Sequence, residues 1–208
     1  MMTDLTVLIY GVPGLLFALS FHEYAHAWMA TRLGDPTPRA AGRLTLNPFA
    51  HVDWLGLIML WVARFGWARP VPVDPRYFAR PRSGMLWTAL AGPAANAIAA
   101  VASAWLLVRA DRLLGDAAGA ADAVRIILYL SLVYNVSLAI FNLIPVPPLD
   151  GSRILGSLLP PRAAWRYQQI EPYGWLVLLL LVASGYVGNI IAPLINAITR
   201  ALLGWFST

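Results

Sequence analysis

The sequence predicts an all-α polytopic membrane protein: about four transmembrane helices, one re-entrant or interfacial helix, and short loop or strand segments. Three observations carry that reading. Hydrophobic residues make up 59% and charged residues 12% of the 208, with a mean hydropathy of +0.64, whereas soluble domains carry about 25% charged residues. The apolar residues fall in runs, several of them long enough to cross a hydrocarbon core of about 30 Å. The 15 basic residues are all Arg and lie between those runs. At roughly 20 residues per span the chain has room for about six crossings at most, so residues 1–208 read as a single membrane domain.

The first run, Leu5 to Leu33, is apolar apart from an embedded polar cluster. It lacks the basic opening and small-residue cleavage site of a signal peptide, and is read as a retained span. Trp54 to Ala63 is apolar but only about ten residues long, which suits a re-entrant or interfacial helix. Gly84 to Val108 and Ala123 to Ile144 are long enough to span. The second runs into Asn142-Leu143-Ile144-Pro145-Val146-Pro147-Pro148-Leu149-Asp150-Gly151, where three prolines forbid a continuous helix. Irregular backbone at membrane depth persists only when buried in protein or lining a polar cavity. Tyr173 to Leu194 supplies the last expected span, followed by Arg200 and a short apolar tail. Between the spans, Gly34 to Val52 and Arg64 to Ser83 are rich in turn residues and read as ordered loops or short strands.

Loop charge predicts an orientation. Spans at 5–33, 84–108, 123–150 and 173–194 put Arg32, Arg39, Arg43, Arg64, Arg69, Arg76, Arg80, Arg82, Arg153, Arg162 and Arg166 on one side. Arg109, Arg112, Arg125 and Arg200 fall on the other. The positive-inside rule assigns the larger group to the cytoplasm and both termini to the outside. A pI near 10 is compatible with nucleic acid, but arginines dispersed between apolar runs form no basic stripe, so the predicted partner is the lipid bilayer and no nucleic acid. The lack of Cys excludes a disulfide scaffold, a thiolate zinc site, a thiol nucleophile and an iron–sulfur cluster.

The chemistry sits in the first and third long spans. His22-Glu23-Tyr24-Ala25-His26 matches H-E-x-x-H, whose imidazoles at i and i+4 share a helix face and can bind one Zn²⁺ while the Glu lies beside the metal-bound water. With three His and two Glu in the chain, composition alone would produce the pattern about 4 times in 10,000. Ionisable groups in a membrane span point to function by default; the competing reading is a hydrogen-bonded structural cluster. A catalytic zinc site takes a third protein ligand. The extended motif with a further His fails, because Met29 and Arg32 occupy its positions. The realistic donors are Asp35, His51, Asp53, Asp74 and Asp150. Asp150 is favoured: it ends a broken span, beside a Gly that permits close backbone approach. His22, about 26 Å along the first helix from Leu5, reaches the same membrane side.

These motifs resemble the site-2 protease family of intramembrane zinc metalloproteases. The resemblance also covers Arg43-Leu44-Thr45-Leu46-Asn47-Pro48-x-x-His51-x-Asp53, Arg69-Pro70-Val71-Pro72-Val73 and Ala91-Gly92-Pro93-x-x-Asn96. It implies a core of three long helices, one Zn²⁺ held by His22, His26 and Asp150, Glu23 as general base, and Asn142 near the catalytic water or substrate carbonyl. No PDZ domain interrupts the chain, unlike the best-known members.

The expected function is therefore a zinc-dependent intramembrane endopeptidase. Zinc would lower the pKa of water and polarise the scissile carbonyl, and Glu23 would carry the proton to the leaving amine. The substrate would be a transmembrane protein or membrane-bound peptide, unwound locally so that its amides become accessible. The expected location is the cell membrane, with the active site nearer the cytoplasmic face. Two rivals use the same site: a metal transporter, which needs ligands through both membrane halves, and a catalytically silent scaffold, which has no use for Glu23. Among the remaining polar residues, Asn142 either orients water or oxyanion or satisfies carbonyls freed by the prolines. His51 is more simply a loop histidine bonded to backbone, and Asp53 an N-cap. Gly92, Pro93 and Asn96 serve either a substrate groove or close helix packing.

Overall fold

The computed structural model describes residues 4–63, 66–115 and 119–207. Among these the regular structure is helical, and β-pairing is limited to an isolated bridge between Val52 and Ala68. The first helix, α1, spans Asp4–Arg32; at 29 residues it is about 43 Å long. A short helix, α2 (Thr37–Ala40), follows. The apolar segment Trp54–Ala63 forms α3 with the bounds read from sequence. Its ten residues give about 15 Å, half of a hydrocarbon core. Asp53 caps it, accepting the Gly56 N–H at 2.9 Å, as its position before the apolar run suggests.

Helix α4 covers Pro81–Leu114 and α5 covers Ala120–Asn142. After the proline-rich turn come α6 (Asp150–Leu158) and α7 (Pro161–Gln168), then α8 (Gly174–Ala183) and α9 (Tyr186–Ser207). Among the described residues, Pro81–Leu114, Ala120–Asn142 and Gly188–Ser207 are long and apolar enough to cross a membrane. Helix α1 is also long enough, and its C-terminal half carries the ionisable cluster.

One expected boundary is wrong. The last span, read as Tyr173 to Leu194, is two helices divided at Ser184-Gly185, where Gly185 has φ +71°. The Ser184 and Gly185 N–H groups close α8 onto the carbonyls of Leu180 and Val182, and glycine takes the left-handed conformation without a Cβ penalty. Apolar side chains flank the break on both sides, so hydropathy alone carries no sign of it. Arg200 consequently lies within α9 rather than in a loop beyond a span. Arg64, counted among the cytoplasmic arginines, lies outside the described residues.

Helices α1, α4 and α5 pack on one another, and α9 lies against α4 and α5. The interface of α4 with its neighbours is lined by small buried residues, among them Ala91, Gly92, Ala95, Ala99, Ser103 and Ala104, which let backbones approach closely. Ala100, Ala104, Leu132 and Val136 form a buried cluster against Ile195, Ile198 and Phe206 of α9. Polar contacts identify the two ends. Arg112 of α4 donates to the carbonyls of Phe206 and Ser207, and Arg125 of α5 pairs with Asp111 of α4. The opposite end brings together the C-terminal half of α1, the start of α4 and the turn after α5. Helices α1 and α5 thus run against α4 and α9, and residues 4 and 207 lie at the same end.

Candidate metal centre

Two side chains four residues apart on α1 project from one face, as 3.6 residues per turn requires. His22 Nε2 and His26 Nε2 lie 3.0 Å apart, and Asp150 Oδ2 lies 3.1 Å from the first and 3.2 Å from the second. All three residues are buried, and among the described residues they are the one group of three potential ligands that converges.

The hydrogen bonds around the rings determine what the Nε2 atoms can do. His26 Nδ1 lies 2.7 Å from the Thr88 carbonyl oxygen, which can only accept, so Nδ1 carries the proton. His22 Nδ1 lies 2.6 Å from Asn96 Oδ1. The Asn96 amide is oriented by its Nδ2, which donates to the Ala18 carbonyl at 3.0 Å and to Asn135 Oδ1 at 2.8 Å. His22 Nδ1 is therefore also a donor. Rings whose Nδ1 atoms are donors in this way can direct two Nε2 lone pairs, with a carboxylate oxygen, at one point, an arrangement suited to a cation. Tetrahedral zinc with ligand bonds near 2.0–2.1 Å needs donor atoms about 3.3 Å apart, and the separations here fall just below that. The residues present fit the metal.

Asp150 arrives by a different route. Helix α5 ends at Asn142, and the segment to Leu149 turns back so that Asp150 opens α6. Sequence reading treats it as the end of a broken span; here it is the first residue of the next helix, where a carboxylate faces the positive end of the helix dipole. A Cβ on Gly151 would lie 2.3 Å from the Leu143 carbonyl oxygen. The glycine is needed for this close approach, and it brings Asp150 back onto α1.

Gly92 of α4 does the same for the histidines. A Cβ there would lie 2.3 Å from His26 Nε2 and 2.6 Å from His22 Cε1. Gly92→Ala is accordingly expected to push the rings off their shared focus and to lower bound zinc per chain to well under half, at an overpacking cost of about 1–3 kcal/mol. Metal analysis of purified variant checks this; parental zinc content would show that the rings yield without cost.

Glu23 is also buried, and its Oε2 accepts the Val71 N–H at 3.2 Å from the extended segment after Trp67. Glu23, both histidines and Asp150 line a cavity of about 450 Å³ whose walls include Leu15, Leu19, Pro70, Val71, Leu138 and Phe141. Asn142 lines it too, with its Nδ2 donating to the Leu138 carbonyl at 3.1 Å. That bond uses one of its two amide hydrogens.

The other candidate donors have different employment. Asp35 is fully buried and accepts the N–H groups of Thr37 and Asp74. Asp74 caps a short turn and pairs with Arg76, whose hydrogen bonds hold the Asp74 carboxyl below its usual range. His51 Nε2 bonds the Thr45 carbonyl at 2.8 Å, the backbone-bonded loop histidine of the simpler reading. Asn96 belongs with the candidate metal centre as the hydrogen-bond partner of His22, a role that neither the groove nor the packing reading included. Asn135 and Thr88 were not singled out by sequence, since each acts through a neighbour more than 38 residues away.

A family model for peptidase family M50 matches residues 112–185, a stretch that contains Asn142 and Asp150 but not the histidine pair. The zinc metalloprotease YwhC named in Bacillus subtilis (strain 168) is 39% identical, covering 98% of this chain and 93% of its own. The zinc metalloproteases named Rip2 are 30% identical in Mycolicibacterium smegmatis and 32% identical in Mycobacterium tuberculosis (strain ATCC 25618 / H37Rv), covering 96% of this chain and 73% and 71% of theirs. No solved structure matches the chain.

Proposed function

The chain belongs to peptidase family M50 and is a zinc metalloendopeptidase, and from that premise we propose that it cuts membrane-protein or membrane-bound peptide substrates within or near the bilayer. His22, His26 and Asp150 are the zinc ligands, Glu23 is the general base, and Asn142 contacts the water or the substrate carbonyl. One observation carries the reading: three converging donor atoms and a separate buried carboxylate line one cavity whose other walls are mostly apolar.

When bound, zinc supplies Lewis acidity, polarising the scissile carbonyl and making water acidic enough to lose a proton near neutral pH. The rest falls to the chain. Asn96 and the Thr88 carbonyl hold His22 and His26 in the tautomer that leaves Nε2 free. Glu23 accepts a proton from the water on one carboxylate oxygen while Val71 N–H engages Oε2, then delivers it to the departing amine nitrogen. The second Asn142 amide hydrogen is available to the carbonyl oxygen that gains charge. Apolar walls exclude bulk water and accept side chains that lay in lipid, and a substrate helix must unwind locally for its amides to enter.

Incubating purified protein with a panel of single-span substrates, with and without chelator, tests the proposal. Cleavage inside or beside a span, lost with chelator and restored by zinc, is the expected result; cuts confined to soluble peptides would overturn the intramembrane part. The active site lies toward the cytoplasmic face of the cell membrane, because the arginine-rich loops share its end of the bundle. Single cysteines introduced at 36–50 and 66–82 should react with impermeant reagent only from the cytoplasm; labelling from outside would reverse the orientation.

A further inference from the structure

We infer that Arg43 is a positioning residue for Glu23, acting through the single peptide group between Pro70 and Val71; the inference rests on Glu23 being the general base. Arg43 is 5% exposed although it lies in a loop. Its guanidinium donates through Nη1 to the Ala50 carbonyl and through Nη2 to the Pro70 carbonyl at 3.0 Å. The N–H on the far side of that peptide belongs to Val71 and donates to Glu23 Oε2 at 3.2 Å. In a planar trans peptide the C=O and N–H point in opposite directions, so Arg43 and Glu23 grip one rigid unit from its two sides.

The local sequence leaves no substitute. Pro70 and Pro72 have no N–H, so Val71 offers the sole donor within Pro70-Val71-Pro72. A carbonyl that accepts from a cation polarises its own amide and strengthens the bond that the amide donates. Arg43 has no carboxylate within ion-pair distance among the described residues. Burial and the nearby Arg69 charge push its pKa down, and the nearby Glu23 charge pulls it up. A buried guanidinium facing a like charge is costly unless something recovers the loss. Here Arg43 ties the 48–50 turn to the segment over the cavity and, through that segment, holds Oε2 so that the other carboxylate oxygen faces the reacting water.

A residue that only clamped two loops would affect stability and substrate binding; one that positions the base lowers kcat. Val71→Pro deletes the N–H and keeps the Pro70 carbonyl, and Arg43→Lys keeps the charge but loses the planar fork that reaches the Ala50 and Pro70 carbonyls together. Arg69→Gln removes a neighbouring charge and leaves the peptide untouched. All are made in the full chain, loaded with zinc in lipid nanodiscs and assayed on one substrate that the parent cleaves. Val71→Pro should lower kcat by about 10- to 100-fold, the worth of one hydrogen bond to a charged group, with KM within about threefold of the parent and zinc content unchanged. Arg43→Lys should lower kcat less and in the same pattern, and Arg69→Gln should match the parent. In zinc-free, 15N-valine-labelled protein, the Val71 amide proton should move upfield in both Glu23→Gln and Arg43→Lys. Parental kcat in Val71→Pro, a rise in KM as its only effect, an equal loss in Arg69→Gln, or an unmoved Val71 amide would overturn the inference. Cleavage by Glu23→Gln at the parental rate would instead remove the base assignment beneath it, and the two failures are told apart by which variant remains active.

Discussion

Glu23→Gln is expected to keep zinc at parental stoichiometry and to abolish detectable cleavage. The two side chains have nearly the same shape, and the amide oxygen can still accept the Val71 N–H that engages Oε2. His22 and His26 are untouched, because their Nδ1 partners are Asn96 and the Thr88 carbonyl rather than Glu23. What disappears is a group able to take a proton from water and return it to the amine. General bases contribute about 10²- to 10⁴-fold in rate, and cleavage of a substrate that must first unwind has little rate to spare. Metal analysis and fragment sequencing on the same preparation decide the matter. A variant that loses zinc would make Glu23 part of the metal site, and one that cleaves normally would leave the enzyme without its assigned base.

The second large effect is expected at the proposed third ligand. Asp150→Ala should release most of the zinc and all of the activity, whereas His51→Ala should keep the metal near one per chain. By residue type His51 is the better candidate, since imidazole is a commoner zinc ligand than carboxylate. Its surroundings decide otherwise: Nε2 is committed to the Thr45 carbonyl, and its backbone carbonyl accepts the Arg69 N–H. Asp150 Oδ2 by contrast sits within 3.2 Å of both histidine nitrogens. Removing it leaves two lone pairs facing each other with one fewer ligand to hold a cation between them. Zinc content of both variants, measured on monodisperse protein, gives the answer, and zinc kept in Asp150→Ala but lost in His51→Ala would reverse the assignment.

Composition and spacing alone determined the membrane class, the length that keeps α3 from crossing, and the shared helix face of His22 and His26. These are properties of a window of a few residues or of the whole average, and helical periodicity converts them directly into geometry. Asp150 was also legible, because three prolines before it break a span that would otherwise continue. The tertiary structure alone decided how those groups are held. Asn96 meets His22 across 74 residues, Thr88 meets His26 across 62, and Val71 meets Glu23 across 48; no periodicity links positions so far apart. The end of α8 was equally hidden, because a glycine turn inside an apolar run changes backbone direction without changing hydropathy. A ligand's identity is written in its side chain, but its tautomer, orientation and supporting hydrogen bonds depend on which backbone carbonyl or amide the packing of α1 against α4 and the Pro70-Val71 segment delivers to it.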